Sequence, residues 1–227
     1  YDAWIKAYRH NENSINTGIS YYSKGQILAA MLDLYTIKKF NGKKSLDDFM
    51  QKLYTDFYKK NDVGFTEQEF QKTLESFIGE EMGWFFDQYV YDTKEIDYNK
   101  FFNGVGINIF NSNTDSEPYL GVRTRNQGGK LVVTTVYKGS AAEKQGLSVN
   151  DEIIAINGYR VDQSEFKYLT ADLRNGDSFE VVLSRDNIMK TYTIKMGSRK
   201  PIRYKYKANF TTENQNLFDY WLRVTAD

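Results

Sequence analysis

The sequence predicts an α+β protein, with an N-terminal all-α helical region followed by a β-barrel or sandwich domain that carries two helices. Two observations lead there. From Tyr22 to about Phe102 apolar residues recur every three or four positions, the helical period, whereas beyond Pro118 they gather into short runs punctuated by Gly and Asn turns. Between them Asn111-Ser112-Asn113-Thr114-Asp115-Ser116-Glu117-Pro118 is polar, lacks periodicity and has the composition of a linker. At 227 residues the chain is long enough to bury two cores. The expected division is a helical region over 1–110, a linker over 111–118, a β-rich domain over 119–198 and a Tyr-rich tail over 199–227 with a short helix, Glu213 to Leu222.

Each element has its own signal. Tyr22-Ser23-Lys24-Gly25 opens an amphipathic helix whose Leu28, Met31, Leu32 and Tyr35 share a stripe, and Asn41-Gly42 supplies the left-handed residues on which helices end. Ser45 and Asp48 are spaced as a capping box ahead of Leu46, Phe49, Met50, Leu53, Tyr54 and Phe57, which trace one apolar face. Thr66 with Glu69 repeats the device before Phe70, Leu74, Phe77 and Ile78, and Gly79 stops that helix. Met82, Phe85, Phe86 and Tyr89 make a fourth, short helix. In the second half Leu131 to Val133, Glu152 to Ile156, Phe179 to Leu183 and Thr191 to Met196 read as strands. Turns fall at Gly128-Gly129, Asn157-Gly158 and Asn175-Gly176-Asp177, and a helix over Ser164 to Leu173 aligns Phe166, Leu169 and Leu173 on one face.

Composition narrows the function. Thirty basic residues balance thirty acidic ones, so no broad positive field invites nucleic acid or an anionic membrane. Aromatic clusters such as Trp84-Phe85-Phe86 therefore read as core, since no basic groove accompanies them. The chain has no cysteine and one histidine, His10, so thiolate chemistry is excluded and a zincin His-Glu-x-x-His site cannot be assembled from it. Acidic residues at Asp47-Asp48, Glu67 with Glu69, and Glu80-Glu81 sit in first helical turns, where the helix dipole favours them. No apolar run approaches the roughly 20 residues of a membrane-spanning helix. The chain does not begin with Met, which suggests a piece of a longer protein.

The segment Gly139-Ser140-Ala141-Ala142-Glu143-Lys144-Gln145-Gly146-Leu147-Ser148-Val149-Asn150-Asp151-Glu152-Ile153-Ile154-Ala155-Ile156-Asn157-Gly158 resembles the PDZ core of bacterial proteases. Its local logic is physical: Ser140 caps a short helix that Gly146 ends, and Asp151 leads into a strand finished by the Asn157-Gly158 turn. The resemblance places a carboxylate-binding loop at Tyr119-Leu120-Gly121-Val122. Its N–H groups would hold a peptide C-terminus while the following strand pairs with the peptide. Phe166 and Leu169 are the candidates to line the side-chain pocket, with plain core packing as the alternative. The occupant is either a separate C-terminal peptide or the protein's own chain.

Tyr22-Ser23-Lys24-Gly25, preceded by Trp4, Asn13-Ser14 and Ile19-Ser20-Tyr21, resembles the start of the helix that follows the zinc site in glycyl aminopeptidases. With a PDZ-like segment after it, the chain resembles the C-terminal half of such a zinc metallopeptidase. The resemblance implies that Tyr22 donates its phenol O–H to the oxyanion of a tetrahedral intermediate, with Tyr21 its nearest competitor for that part. A neutral phenol suits the task because it is a fixed donor without a charge to desolvate. It further implies zinc in the intact enzyme, held outside this chain, a peptide substrate, and an exported or periplasmic location. Two other readings stay open: a non-catalytic PDZ peptide-binding module, or a relative that has lost its zinc site.

Overall fold

A computed structural model describes residues 2–18 and 20–224. Short helices α1 (Asp2–Tyr8) and α2 (Ser14–Thr17) lead to α3 (Tyr21–Lys39), whose first turn holds the Tyr22-Ser23-Lys24-Gly25 signature. The C-terminal half of α3 is buried on more than one side. Met31, Leu34 and Ile37 are 0%, 1% and 1% exposed, while the expected stripe residues Leu28 and Tyr35 are only half-buried. A buried hydroxyl within this half, on Thr36, is satisfied by donating to the Leu32 carbonyl at 2.7 Å. Asn41 and Gly42 take positive φ, and the Gly42 N–H donates to the Ile37 carbonyl at 2.9 Å, closing the helix as a Schellman turn.

Helix α4 (Leu46–Leu53) starts at Ser45, whose N–H donates to the Asp48 carboxylate at 2.8 Å. It continues as a π-helical turn, Tyr54–Lys59. The single face expected from Leu46 to Phe57 divides in two. Phe49 and Leu53 are sealed in the core, but Met50 and Tyr54 are 50% and 57% exposed. The Phe49 side packs on α5 (Glu67–Ile78), its ring lying 5.2 Å from Phe70 and 5.6 Å from Phe77. The Thr66–Glu69 capping box opens α5 and Gly79 at φ 80° closes it. A short α6 (Gly83–Phe85) runs into a second π-helical turn, Phe86–Val90, and Met82, Phe85, Phe86 and Tyr89 are all buried. After α7 (Asn99–Phe102) and a 3-10 turn comes β1 (Ile107–Asn111), which the Asn99 carboxamide clamps by donating to Ile109 O at 2.8 Å and accepting from Ile109 N at 2.7 Å.

The β-rich part comprises β2 (Glu117–Tyr119), β3 (Val122–Gln127), β4 (Lys130–Val136), α8 (Ala141–Lys144), β5 (Glu152–Ile156), β6 (Tyr159–Arg160), α9 (Gln163–Ala171), β7 (Ser178–Arg185), β8 (Ile188–Lys195) and β9 (Gly197–Arg199). The strands form an antiparallel sheet in the order β3-β4-β5-β7-β8, with β6 on β5, and β2 pairs with β9 apart from it. Leu131, Val133, Ile153, Ile156, Val181, Leu183 and Ile194 point into one core with Phe166 and Phe179. Gly128-Gly129 and Asn157-Gly158 turn with positive φ, as two-residue hairpin loops on right-twisted strands require. The β7–β8 hairpin turns at Asp186-Asn187, φ 53° and 62°, which the sequence reading passed over. Asp151 is fully buried and accepts from Ser148 N at 2.7 Å and from Arg185 Nε at 2.6 Å.

The last segment is not a tail. Strand β10 (Tyr204–Ala208) pairs antiparallel with β1, from Ile107 opposite Ala208 to Asn111 opposite Tyr204. Helix α10 (Thr212–Leu222), capped by Thr211, buries Leu217 in the helical core, against which Phe218 and Trp221 also pack. The compact units are accordingly discontinuous: Tyr1–Tyr21 with Asn113–Arg203, and Tyr22–Ser112 with Tyr204–Asp227. The physical reason is that β1 needs a partner for its backbone groups and the helical core needs the apolar face of α10. The proposed linker shortens to the irregular stretch between Asn111 and Glu117, the ends of β1 and β2. Among the described residues no helix is long and apolar enough to cross a membrane.

Candidate functional site

The loop from β2 to β3 is built on Gly121. Its φ is +83°, and a Cβ there would lie 2.1 Å from Ser140 Cβ, so any other residue would have to displace the capped start of α8. Both neighbouring carbonyls are tied back: Leu120 O accepts from Ala142 N at 2.9 Å and Gly121 O from Tyr137 N at 2.9 Å. The N–H groups of Leu120 and Gly121 donate to no protein acceptor among the described residues. They border a cavity of about 310 Å³ whose other walls are Pro118, Tyr119, Val122, Phe166, Thr170, Ala171, Leu173 and Met196. Strand β3 ends the sheet, so its outer edge adjoins this cavity without a strand partner.

Of the residues singled out in sequence, Tyr119, Leu120, Gly121, Val122 and Phe166 come together around this cavity. Leu169 does not line it; half-buried, it packs on the sheet core with Leu173. Thr170 and Ala171 form the helical wall in its place. Phe166 and Leu173 of the apolar stripe meet both core and cavity, and the wall is completed by the polar Thr170, one turn beyond Phe166, which a search for apolar residues overlooks. Beside the loop, Tyr119 lies beneath the Arg199 guanidinium at 4.0 Å and 6.1 Å from Tyr137, over which Arg123 sits at 5.5 Å. Burial pushes the Tyr119 phenol above its ordinary value, against the opposing pull of Arg199.

Tyr22 stands on the first turn of α3 with 60% of its surface exposed, whereas Tyr21 is half-buried. Lys24 Nζ donates to the Asp92 carbonyl at 3.2 Å. A Cβ on Gly25 would meet nothing within 4 Å among the described residues, so space does not require glycine there. His10 is exposed. The acidic groups have structural duties: Asp48 and Glu69 cap helices, and Glu80 accepts from Tyr35 and Lys39. Burial, with the Glu80 hydrogen bond second, pushes the Tyr35 phenol up to about 12. Among the described residues no group of three or more His, Cys, Asp or Glu could hold a metal ion, so they do not fit a zinc site.

The sequence reading also missed an apolar hollow in the helical unit. Met50, Tyr54, Phe57, Tyr58, Val63 and Phe65 line a cavity of about 540 Å³, with the π-helical turn Tyr54–Lys59 as one wall. A smaller one of about 290 Å³ shares Phe65 and is bordered by the second π-helical turn through Phe86 and Val90. The clue in the sequence was the excess of apolar residues over one stripe from Leu46 to Phe57.

The loop, edge strand and flanking helix define a PDZ domain, and residues 118–196 match the PDZ domain family. Over the whole chain the fold is that of an aminopeptidase N family protein from Idiomarina loihiensis: TM-score 0.77, 22% identity, 98% of this chain and 39% of that one. The carboxy-terminal processing protease CtpB of Bacillus subtilis is 29% identical over 79 residues, 34% of this chain and 16% of its own length. A PDZ domain protein from Parabacteroides distasonis is 24% identical over 38% of this chain and 21% of that one, with a TM-score of 0.33. The chain thus spans about two fifths of the Idiomarina structure and under a fifth of CtpB.

Proposed function

We propose that this chain is part of a glycyl aminopeptidase-like zinc metallopeptidase, in which Tyr22 stabilises the oxyanion and the PDZ domain receives a peptide. The observation that carries the reading is Tyr22 itself. It is 60% exposed on the first turn of a helix whose far half is core, inside a fold shared with an aminopeptidase N family protein. Its O–H would donate to the carbonyl oxygen of the scissile peptide as negative charge gathers there, a contribution of roughly 3 kcal/mol to lowering the barrier. The zinc ligands and general base belong, in this reading, to a segment outside this chain.

The PDZ part of the reading rests on the Leu120 and Gly121 amides. Two N–H groups next to a cavity donate to a terminal carboxylate, the β3 edge adds the peptide as a further strand, and the last side chain enters between Phe166 and Thr170. Two experiments test the two halves. In the whole protein Tyr22→Phe is expected to lower kcat about 10²-fold with metal content unchanged, while Tyr21→Phe is nearly silent. Near-full kcat/KM in Tyr22→Phe removes the oxyanion role, and loss in Tyr21→Phe moves it one residue. A peptide with an apolar C-terminal residue is expected to shift the Leu120 and Gly121 amide signals, and its C-terminal amide to leave them in place. Equal shifts from both peptides would rule out carboxylate recognition.

A further inference from the structure

Helix α2 has no buried residue, and Ile15 within it is 54% exposed, so apolar burial does not hold this segment. A carboxamide does. Asn16 Nδ2 donates to the Val136 carbonyl at 2.8 Å and to Asn13 Oδ1 at 2.9 Å, while Asn16 Oδ1 accepts from Lys138 N at 2.9 Å. The side chain thus engages backbone 120 residues away as a neighbouring strand would, through one donor and one acceptor. The segment is internally set for this: Asn11 N donates to Ser14 Oγ at 2.7 Å and Asn13 N to Asn11 Oδ1 at 2.9 Å.

The residue between the two contacts is Tyr137, whose N–H goes to Gly121 O. Three consecutive residues therefore serve two neighbours: the middle one braces the loop of the PDZ groove, and the outer two hold Asn16. We propose that Asn16 is a positioning residue that couples this loop to Asn11–Thr17, the lead-in to α3, so that a peptide carboxylate on the loop tightens the lead-in. The coupling rests on the groove reading above. Its reciprocal follows by linkage: loosening the lead-in weakens the peptide. Asn99 on Ile109 and Gln145 on Lys195, carboxamides that likewise both donate to and accept from backbone, bridge only 10 and 50 residues.

Amide exchange and chemical shifts in the full chain decide it. Without ligand, Asn16→Ala should speed exchange at Lys138 and, through the shared stretch, at Tyr137 by about five- to tenfold, with Val133, bonded to Asp151 O in the same sheet, unchanged. Asn16→Asp, which keeps the size and the acceptor but loses the donor to Val136, should do the same more weakly. In the wild type a peptide with a free apolar C-terminus should move the Asn16 side-chain NH₂ signals, and Asn16→Ala should bind it several-fold more weakly. The coupling is overturned if that peptide shifts Leu120 and Gly121 but leaves Asn16 unmoved, or if Asn16→Ala speeds Lys138 exchange alone. A peptide that shifts none of these signals overturns the groove reading and the coupling with it, and Tyr137 exchange then separately reports whether the clamp braces the loop.

Discussion

Gly121 sits at φ +83° with Ser140 Cβ only 2.1 Å from where a Cβ would be, so backbone strain and overlap act together there. Gly121→Ala should cost about 2 kcal/mol or more and displace the Leu120 amide. A chemical denaturation midpoint reads the first effect and peptide titration the second; an unchanged midpoint would mean the loop moves away freely. Asp151 is the buried polar counterpart. Its carboxylate accepts from Arg185 Nε at 2.6 Å and Nη2 at 2.8 Å as well as from Ser148 N. Asp151→Asn keeps the shape but removes the charge and turns one acceptor into a donor facing donors, which should lower stability by about 2 kcal/mol. A variant as stable as the parent would show that the pair only offsets its own desolvation. Gly121 was placed by the resemblance and Asp151 by the Gly139 to Gly158 motif, yet neither revealed these partners. Ser140 follows Gly121, and Arg185 follows Asp151, at distances along the chain that no local spacing encodes.

Among the elements, caps were legible and widened turns were not. Ser45, Thr66, Ser140 and Asn41-Gly42 were readable because a cap is a contract between residues two to five apart. The π-helical turns at Tyr54–Lys59 and Phe86–Val90 carry no such local mark, so periodicity ran straight through them and placed Met50 and Tyr54 in the core. Leu169 was misplaced for a related reason: an apolar stripe shows that a side of α9 is covered without saying whether by core or by groove, and of its members Phe166 and Leu173 line the cavity while Leu169 does not. A contact between α3 and the stretch joining α5 to α6 gives a pH signature. Tyr35 donates to Glu80, which also pairs with Lys39. The Tyr35 value is raised from 10.0 to about 12, chiefly by burial, so its contribution is complete below pH 10 and is lost as pH rises through 12. Lys39 first, then Tyr35, hold Glu80 below its ordinary 4.5, so that contribution is present above this value and lost as pH falls. Tyr35→Phe should therefore narrow its stability deficit relative to the parent between pH 10 and 12. A deficit constant across that window, in paired denaturation curves, would show that the phenol does not titrate as a folded-state group.

At the scale of the whole molecule, the chain crosses between its two compact units three times, after Tyr21, after Ser112 and after Arg203. The polar composition of 111–118 made the middle crossing readable. The other two were hidden because what places β10 and α10 in the helical unit is pairing with β1 and burial of Leu217, both contacts over a hundred residues of chain. Protease should still cut first at the exposed Thr114-Asp115-Ser116, where the backbone is irregular and open. The two products should not part under native conditions. The first would carry β1 and most of the helical core, the second β10 and α10 that complete it, and the Asn16 clamp to Val136 and Lys138 would add a further link. A nicked sample should run as two bands on a denaturing gel and as one intact-sized species in native gel filtration. Removing the chain from Tyr204 on should then unfold the helical unit while PDZ amide signals persist, since none of the buried PDZ core residues lies beyond Met196. Free separation of the nicked halves, or a stable helical unit after that truncation, would return Tyr204 onward to the status of an appended tail.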